Sequence, residues 1–168
     1  MPYKRCVSAY NYADKVVPSI IYKLKNRGNV ITVEFLTDAM LKRITDEFCD
    51  VSFDYITYVP CSKTKRARKG FDHARLLADS LSKKMNVKLI SPPIKRSGLF
   101  SQKGLGKSDR YKNAKKSFIG TSKRINGTVL MIDDVCTTGA TLHSCASLLK
   151  SAGSKEVYCA TAATVENE

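Results

Sequence analysis

Two adjacent carboxylates followed by a hydroxyl-rich turn are the residues of this chain best suited to chemistry. Asp133 and Asp134 follow the apolar run 129–132, and residues 137–141 read Thr-Thr-Gly-Ala-Thr. Ionised aspartates only accept hydrogen bonds, whereas hydroxyls and the backbone amides at a helix start donate them to anions. A sugar phosphate needs both kinds of partner, because its ring hydroxyls donate and its phosphate accepts. The pattern therefore predicts a site for a ribose 5-phosphate.

A strand, a tight loop and a helix are needed to position these residues. The β-branched run 129–132 is typical of a strand buried on both faces of a parallel sheet. Because burying two unpaired carboxylates is costly, we expect the strand to stop at Ile132 and both aspartates to lie where it emerges. Apolar spacing predicts a helix over 138–151, and its dipole and the loop amides would bind the phosphate.

The rest of the chain alternates between strand-like and helix-like patterns. The predicted strands are 6–12, 54–59, 87–90 and 157–164. The predicted helices are 16–27, with Lys25 and Arg27 as cations of the last turn and Gly28 as the C-cap, 34–48, and 74–85, with Asp72 as the N-cap. This order predicts a single α/β domain over 1–168 with a mostly parallel central sheet flanked by helices. Ligands of such a sheet bind at the carboxyl ends of its strands.

Positive charge is the unusual feature of the composition. The 168 residues carry a formal net charge of +14, which indicates polyanionic ligands. The cations cluster at 63–69 and in a polar insert at about 95–124. The six cysteines form no C-x-x-C pair, so we expect no metal site and no disulfide framework. We also expect a cytoplasmic protein without a signal peptide or membrane span, because no apolar run approaches ~18–20 residues.

The motif resembles a known loop. Residues 132–141 are similar to the loop that binds phosphoribosyl pyrophosphate (PRPP) in type I phosphoribosyltransferases. Further segments resemble the ComF branch of these proteins, which is linked to bacterial DNA uptake. The matching residues are Tyr10, Tyr12, Leu24, Lys25, Gly28, Val59, Pro60, Arg66, Arg68, Gly70, Phe71, Ala74, Gln102, Leu105, Arg110, Asn113 and Phe118. Asp72 and His73 stand where ComF proteins usually have Asn and Gln.

The resemblance implies the type I phosphoribosyltransferase fold, with a small N-terminal hood at 1–50, a core at 51–168 and a flexible basic loop at about 95–124. It assigns catalysis to Asp133, Asp134 and Thr137. It assigns the 5-phosphate of PRPP to Val135, Cys136, Thr137, Thr138, Gly139, Ala140 and Thr141. It assigns pyrophosphate to Cys61, Ser62 and Lys63. The resemblance adds four residues of the basic and flexible segments to the predicted site: Arg66, Arg68, Gln102 and Arg110.

The implied reaction transfers ribose 5-phosphate from PRPP to a nitrogen acceptor and releases pyrophosphate, with Mg²⁺ arriving on PRPP. Thr137 stands where purine-salvage enzymes usually have Asp, so purine salvage is not implied and the acceptor stays open. Two alternatives remain: a non-catalytic competence protein that binds single-stranded DNA, and a PRPP-sensing regulator. The N-terminal zinc-binding module common in ComF proteins is lacking. The expected partners are PRPP, the nitrogen acceptor and a second copy of the chain. Single-stranded DNA is a further partner if the chain is a competence protein.

Overall fold

A five-stranded parallel sheet forms the centre of the fold in the computed structural model, which describes residues 1–96 and 117–165. The elements in chain order are β1 (Cys6–Asn11), α1 (Val17–Arg27), α2 (Val30–Glu47), β2 (Tyr55–Tyr58), α3 (Lys63–Lys69), α4 (His73–Met85), β3 (Lys88–Leu89), β4 (Ile94–Arg96), β5 (Phe118–Gly120), β6 (Thr128–Cys136), α5 (Ala140–Ser151) and β7 (Glu156–Thr164).

The strand order in the sheet is β1-β7-β6-β2-β3, and every neighbouring pair is parallel. The strand that carries the motif, β6, is central: Ile132 pairs with Tyr58 of β2 on one side and with Ala160 of β7 on the other. Helices cover both faces. The mostly parallel α/β sheet predicted from the sequence is confirmed.

Two hydrophobic cores lie on opposite faces of the sheet. Leu130 and Ile132 of β6 belong to the core under α1, α2 and α4. Val129 and Met131 belong to the core under α5 and the short strands β4 and β5. All four side chains are fully buried. Because alternate residues of β6 are covered on both faces, its sequence is continuously apolar rather than alternating.

The strand β6 extends beyond the predicted end at Ile132. It continues through both aspartates to Cys136, which pairs with Thr164 of β7. Asp133 itself pairs with Thr161. The prediction that the strand stops before the carboxylates is therefore wrong. One reason is that β7 extends to Thr164 and continues to pair with β6 beyond Ile132. The other is that local hydrogen bonds and a lysine distant in sequence offset the cost of burying the carboxylates, as described below.

The N-terminal segment consists of the edge strand β1 and the helices α1 and α2. Gly28 ends α1 in the left-handed region, at φ 54°, and its N–H donates to the carbonyl oxygens of Lys23 and Leu24. The Asn29 side chain then accepts the Thr32 N–H at 2.9 Å and caps α2. This cap starts α2 at Val30, four residues earlier than the apolar spacing predicted. Among the described residues, no helix is both long enough and apolar enough to cross a membrane.

The basic insert begins and ends as an antiparallel hairpin. Ile94 of β4 pairs with Gly120 of β5, and the Arg96 guanidinium lies over the Phe118 ring at 5.3 Å. The sequence predicted an irregular segment from about 95 to 124, and this part of the prediction is wrong at both ends. Apolar contacts with the core under α5 explain the hairpin, because Ile94 and Phe118 are both buried. Gln102 and Arg110 lie outside the described residues.

Candidate functional site

The two loops that the sequence assigned to ligand binding leave neighbouring strands at the same edge of the sheet. The first follows β6 and the second follows β2, which is paired directly with β6. The Val59 N–H donates to the Ile132 carbonyl oxygen at 2.9 Å, so the pairing continues to the point where the loops diverge. The fold thereby places both loops where ligands of parallel α/β sheets bind.

The loop after β6 leads directly into α5. Gly139 is the N-cap residue and takes a left-handed conformation, at φ 70°, which glycine adopts without strain. It offers no side chain to cap the helix. The Ala140 N–H donates weakly to the Thr138 hydroxyl at 3.4 Å, and the Gly139 N–H is directed to the Cys136 thiol. Thr137 is exposed. The positive end of the α5 dipole therefore faces a loop lined with hydroxyl groups.

Asp133 and Asp134 are buried rather than emergent, with 8% and 7% of their surface exposed. Each accepts the backbone N–H of the next residue: Asp133 Oδ1 from Asp134 at 2.9 Å, and Asp134 Oδ1 from Val135 at 2.8 Å. The second oxygen of Asp134 lies 2.9 Å from Lys25 Nζ and 3.3 Å from His73 Nε2. It accepts no well-aligned hydrogen bond, so these contacts are chiefly electrostatic.

The two carboxyls differ in their protonation. Burial, and then the adjacent negative charge of Asp134, raise the pKa of Asp133 well above its ordinary value. Burial alone would also raise the pKa of Asp134, but the Lys25 ammonium and the His73 contact outweigh it and lower that pKa. At neutral pH Asp134 is therefore an ionised hydrogen-bond acceptor, and Asp133 holds its proton more tightly than an exposed aspartate does.

His73 begins α4 and is mostly buried. Burial lowers the pKa of its imidazole, against the opposing effect of Asp134 and Asp72. The ring is consequently neutral at neutral pH, and Lys25 supplies the positive charge beside Asp134. A neutral imidazole at 3.3 Å from the carboxylate is placed to exchange a proton there.

The loop after β2 is fixed by Asp72. Its Oδ2 accepts the Cys61 N–H at 3.1 Å, and its Oδ1 accepts the Arg75 N–H at 3.4 Å as the cap of α4. The N-cap role predicted for Asp72 is confirmed. Ser62 is half-buried and Lys63 exposed. Cys61 and Ser62 thus lie in a loop held by one buried carboxylate, next to the end of β6, and Lys63 is the first residue of α3.

A short basic helix, α3, follows this loop and contacts the end of α1. Lys69, near the end of α3, donates to the Lys25 carbonyl oxygen at 2.6 Å and to Asn26 Oδ1 at 3.3 Å. Arg66 and Arg68 are exposed on the same helix. The sequence treated this segment as a charged run after the loop and did not predict α3. Its seven residues were too few to show a helical period.

Lys25 is the functional candidate whose role sequence reasoning missed. The sequence marked it only as a last-turn cation of α1 and as a match to the ComF family. Its approach to Asp134 is set by tertiary contacts that no local pattern reports. The Phe71 ring closes on the end of α1, since a Cβ at Gly28 would lie 2.8 Å from it. Together with the hydrogen bond from Lys69 to the Lys25 carbonyl oxygen, this contact holds the Lys25 side chain near Asp134.

The six cysteines are all free thiols. Burial, and then the Asp72 carboxylate, raise the pKa of the Cys61 thiol to about 11. Burial also raises the pKa of Cys145. Cys49, which follows α2, is the exposed one among the six. Within the described residues, no three His, Cys, Asp or Glu side chains are grouped so that they could hold a metal ion.

Comparison with known families agrees with this geometry. A model of the phosphoribosyl transferase domain matches residues 67–167, more than half of the chain. The chain belongs to this family. The matched part contains both aspartates, the loop after β6 and α5, whereas Lys25 lies in the part before the match.

Two similar proteins have names that refer to competence or to DNA utilization. Competence protein F of Haemophilus influenzae (strain ATCC 51907 / DSM 11121 / KW20 / Rd) is 31% identical over 103 residues, which cover 59% of this chain and 45% of that protein. DNA utilization protein YhgH of Escherichia coli (strain K12) is 26% identical over 164 residues, which cover 94% of this chain and 72% of that protein. The chain thus spans less than half of the Haemophilus relative. The resemblance to the ComF branch is confirmed.

Solved structures of similar fold are also phosphoribosyltransferases. An adenine phosphoribosyltransferase superposes with a TM-score of 0.55 at 16% identity and covers 84% of this chain and 74% of its own. The adenine phosphoribosyltransferase of Saccharomyces cerevisiae gives a TM-score of 0.54 at 15% identity, and the match covers 88% of this chain and 89% of the yeast chain. At such low identity these similarities establish the fold alone, which is the fold class predicted from the sequence.

Proposed function

We propose that this chain binds PRPP across the carboxyl ends of β6 and β2 and transfers its ribose 5-phosphate to a nitrogen acceptor. The observation that carries the proposal is the pairing of an ionised, buried Asp134 with the uncapped start of α5, one loop apart. A ligand that fits both must present hydroxyl donors and an anion within one small molecule. Membership of the phosphoribosyl transferase domain family supports the same ligand.

Each part of PRPP has a matching part of the site in this proposal. The 5-phosphate lies on the loop from Val135 to Thr141, where amides and hydroxyls donate to it. The ribose hydroxyls donate to Asp134, which Lys25 keeps ionised, and to Asp133. The pyrophosphate lies on Cys61, Ser62 and Lys63. The loop hydroxyls supply donors and the ionised Asp134 supplies an acceptor, which are the partners that the phosphate and the ribose hydroxyls need.

Magnesium would reach this site mainly on the substrate. Mg²⁺ prefers six oxygen ligands and usually keeps several waters and substrate phosphates. The described residues offer no group of three potential ligands, and one oxygen of Asp134 already faces Lys25 and His73. These residues therefore fit an ion bound chiefly by PRPP oxygens, with Asp133 as the nearest further carboxyl. When bound, the ion would neutralise the charge on pyrophosphate.

In the proposed reaction a nitrogen of the acceptor forms a bond to C1 of the ribose as the bond from C1 to pyrophosphate breaks. Pyrophosphate leaves with the bonding electrons, so cations near Lys63 stabilise the products. Asp134 orients the ribose and stabilises the positive charge that develops on the sugar ring. The acceptor nitrogen loses its proton to a base, and the neutral His73 beside Asp134 is the titratable group placed closest to this role.

The proposal is tested by calorimetric titration of PRPP with Mg²⁺ into the parent chain and into Asp133→Asn/Asp134→Asn. We expect binding in the parent and a loss of at least about tenfold in the variant, which corresponds to ~1.4 kcal/mol. Thr138→Val, which removes a loop hydroxyl, should weaken binding less. Asp14→Asn, an exposed aspartate before α1, is the matched control and should bind as the parent does. Equal affinity in all four chains would contradict the proposal.

Catalysis is tested separately from binding. Pyrophosphate release is followed with PRPP, Mg²⁺ and a panel of nitrogen bases and amines. Turnover with any acceptor, abolished in the double aspartate variant, supports a transferase. Tight PRPP binding without release across the panel would instead support the reading as a PRPP-sensing regulator.

A second candidate function is binding of single-stranded DNA. The exposed guanidinium groups of Arg66 and Arg68 on α3 favour it, and so do the competence and DNA utilization names of the relatives. Binding to phosphates should give a log-log salt slope of about −0.7 per phosphate neutralised. Arg66→Gln/Arg68→Gln should flatten that slope, whereas Lys23→Gln/Lys42→Gln, exposed cations elsewhere, should not. An unchanged slope in the arginine variant would exclude α3 as the DNA contact.

A further inference from the structure

A cavity of about 450 Å³ lies at the opposite end of the sheet from the motif. Tyr55 and Lys88, which are register partners at the first positions of β2 and β3, form one wall. Lys123, Arg124 and Asn126, just before β6, form the facing wall. Nine residues of strand separate this end of β6 from the loop after it, a distance of about 26 Å. The cavity is therefore separate from the proposed PRPP site.

Three cations converge on this cavity without partners of opposite charge. No carboxylate in residues 1–96 and 117–165 lies within 4.0 Å of the charged nitrogens of Lys88, Lys123 or Arg124. Asp54, the residue before Tyr55 of the lining, accepts the Thr128 N–H at 2.7 Å. Exposed lysines elsewhere do find acids, as Lys83 does with Asp79. The cavity is thus a region of uncompensated positive charge.

The wall that carries two of these cations is fixed before any ligand arrives. The Ile125 N–H donates to the Ala152 carbonyl oxygen at 3.0 Å, and Ile125 is buried. Arg124 Nη1 donates to the Ser151 carbonyl oxygen at 3.1 Å, which commits one of the five guanidinium donors. A rigid backbone with a tethered guanidinium costs little entropy when it binds an anion.

The lining also offers groups that recognise a flat polar ring. Tyr55 provides a half-buried aromatic side chain, and Asn126 and Ser91 provide amide and hydroxyl groups. The volume falls in the range of ordinary small-molecule sites, about 300–1,000 Å³. We propose that this cavity is a second binding site, and that its ligand is a nucleoside monophosphate with its phosphate on the cations and its base against Tyr55.

The test uses the full chain and adenosine 5′-monophosphate as the probe. Amide NMR spectra of the ¹⁵N-labelled protein should show shifts at residues 123–126 that saturate with the nucleotide, in the presence and in the absence of PRPP with Mg²⁺. Calorimetry should show that Lys123→Glu/Arg124→Glu weakens binding by at least about tenfold, because two charge-assisted contacts are reversed. Tyr55→Leu should weaken the nucleotide but leave ribose 5-phosphate unchanged.

The matched control is Lys23→Glu/Lys42→Glu, which makes the same change in net charge at exposed positions on α1 and α2. It should bind the nucleotide as the parent does. Equal weakening in both double variants would show nonspecific attraction by net charge and overturn the proposal. Shifts confined to residues 137–141, or the absence of any saturable shift, would overturn it as well. Thermal unfolding of each variant verifies that it is folded.

Discussion

The Lys25 ammonium nitrogen lies 2.9 Å from Oδ2 of Asp134, and this ion pair joins the end of α1 to the end of the central strand. Asp134 is the more buried partner, with a side chain 10% exposed against 38% for Lys25. The pair crosses from the N-terminal segment, which the family model does not match, into the matched core. The N-terminal segment therefore takes part in the electrostatics of the motif through Lys25.

Replacing Lys25 with Met should destabilise the protein, because Asp134 would remain buried without its cation. Breaking a buried pair costs ~3–5 kcal/mol, and the partial exposure of Lys25 reduces our expectation to ~1–3 kcal/mol. Urea unfolding at neutral pH measures the loss. Lys25→Met/Asp134→Asn should recover most of it, since no uncompensated charge remains. A double variant no more stable than the single one would contradict this account.

The deficit of Lys25→Met should depend on pH. The pKa of Asp134 is lowered in the folded parent, so its contribution to stability is present above the unfolded value of ~3.9 and is lost as the pH falls through the folded pKa. The parent and the variant should therefore differ most at neutral pH and converge in acid. A pH-independent difference in the free energy of unfolding would point to lost packing of the lysine stem instead.

Asp133→Asn should stabilise the protein at neutral pH. The folded pKa of Asp133 is raised, so its favourable contribution is complete below ~3.9 and is lost as the pH rises through the folded value. Asparagine keeps an oxygen for the Asp134 N–H without the buried charge. The gain over the parent, measured by urea unfolding across this pH range, should grow with rising pH. Its absence at neutral pH would show that Asp133 ionises at no cost.

Asp72→Ala should cost ~1–2 kcal/mol, because it removes the cap of α4 and the acceptor of the Cys61 N–H together. Loss of PRPP affinity should accompany the loss of stability, since the loop after β2 would no longer be fixed. The matched control is Asp79→Ala on α4, whose pair with Lys83 is exposed to solvent and should contribute much less to stability. Thermal unfolding and calorimetry compare the two variants.

Gly28→Ala should destabilise the protein more than Gly70→Ala. Both glycines lie in the left-handed region, at φ 54° and 79°, so each substitution adds similar backbone strain of ~1–2 kcal/mol. A Cβ at Gly28 would also lie 2.8 Å from the Phe71 ring, whereas nothing lies within 4 Å at Gly70. The difference in the free energy of unfolding between the two variants measures that contact. Equal losses would show that the ring moves aside freely.

Local patterns carried most of the fold prediction. The continuous apolar run of β6, the glycine that ends α1 and the aspartate that caps α4 each act within a few residues, so the sequence displays them directly. The boundaries were less accurate. Asn29 extends α2 toward its N-terminus through a side-chain cap, and pairing with β7 extends β6 through its two aspartates. Side-chain caps and pairing with a neighbouring strand shift the ends of helices and strands. They do not change the spacing of apolar residues, so the sequence pattern does not reveal these shifts.

The site was predictable in its parts and not in its assembly. The aspartates and the loop after them stood out by residue type and spacing. What keeps Asp134 ionised in the interior is Lys25, which is supplied by another element through the packing of α1. The sequence rule that buried carboxylates are costly held, but the cost is offset by tertiary contacts rather than avoided by exposure. Long-range pairs of this kind leave no periodic signal in a single sequence.

The uneven exposure of the six thiols has a practical consequence for spectroscopy. Cys49 is exposed, while the other five are partly or fully buried. Since the thiolate is the reactive form and needs access to the reagent, a maleimide fluorophore should attach at this one position in the native chain. The dye would be attached just after the C-terminal end of α2, at a residue that is part of neither proposed ligand site. Its anisotropy would then report domain tumbling and self-association without any engineered cysteine.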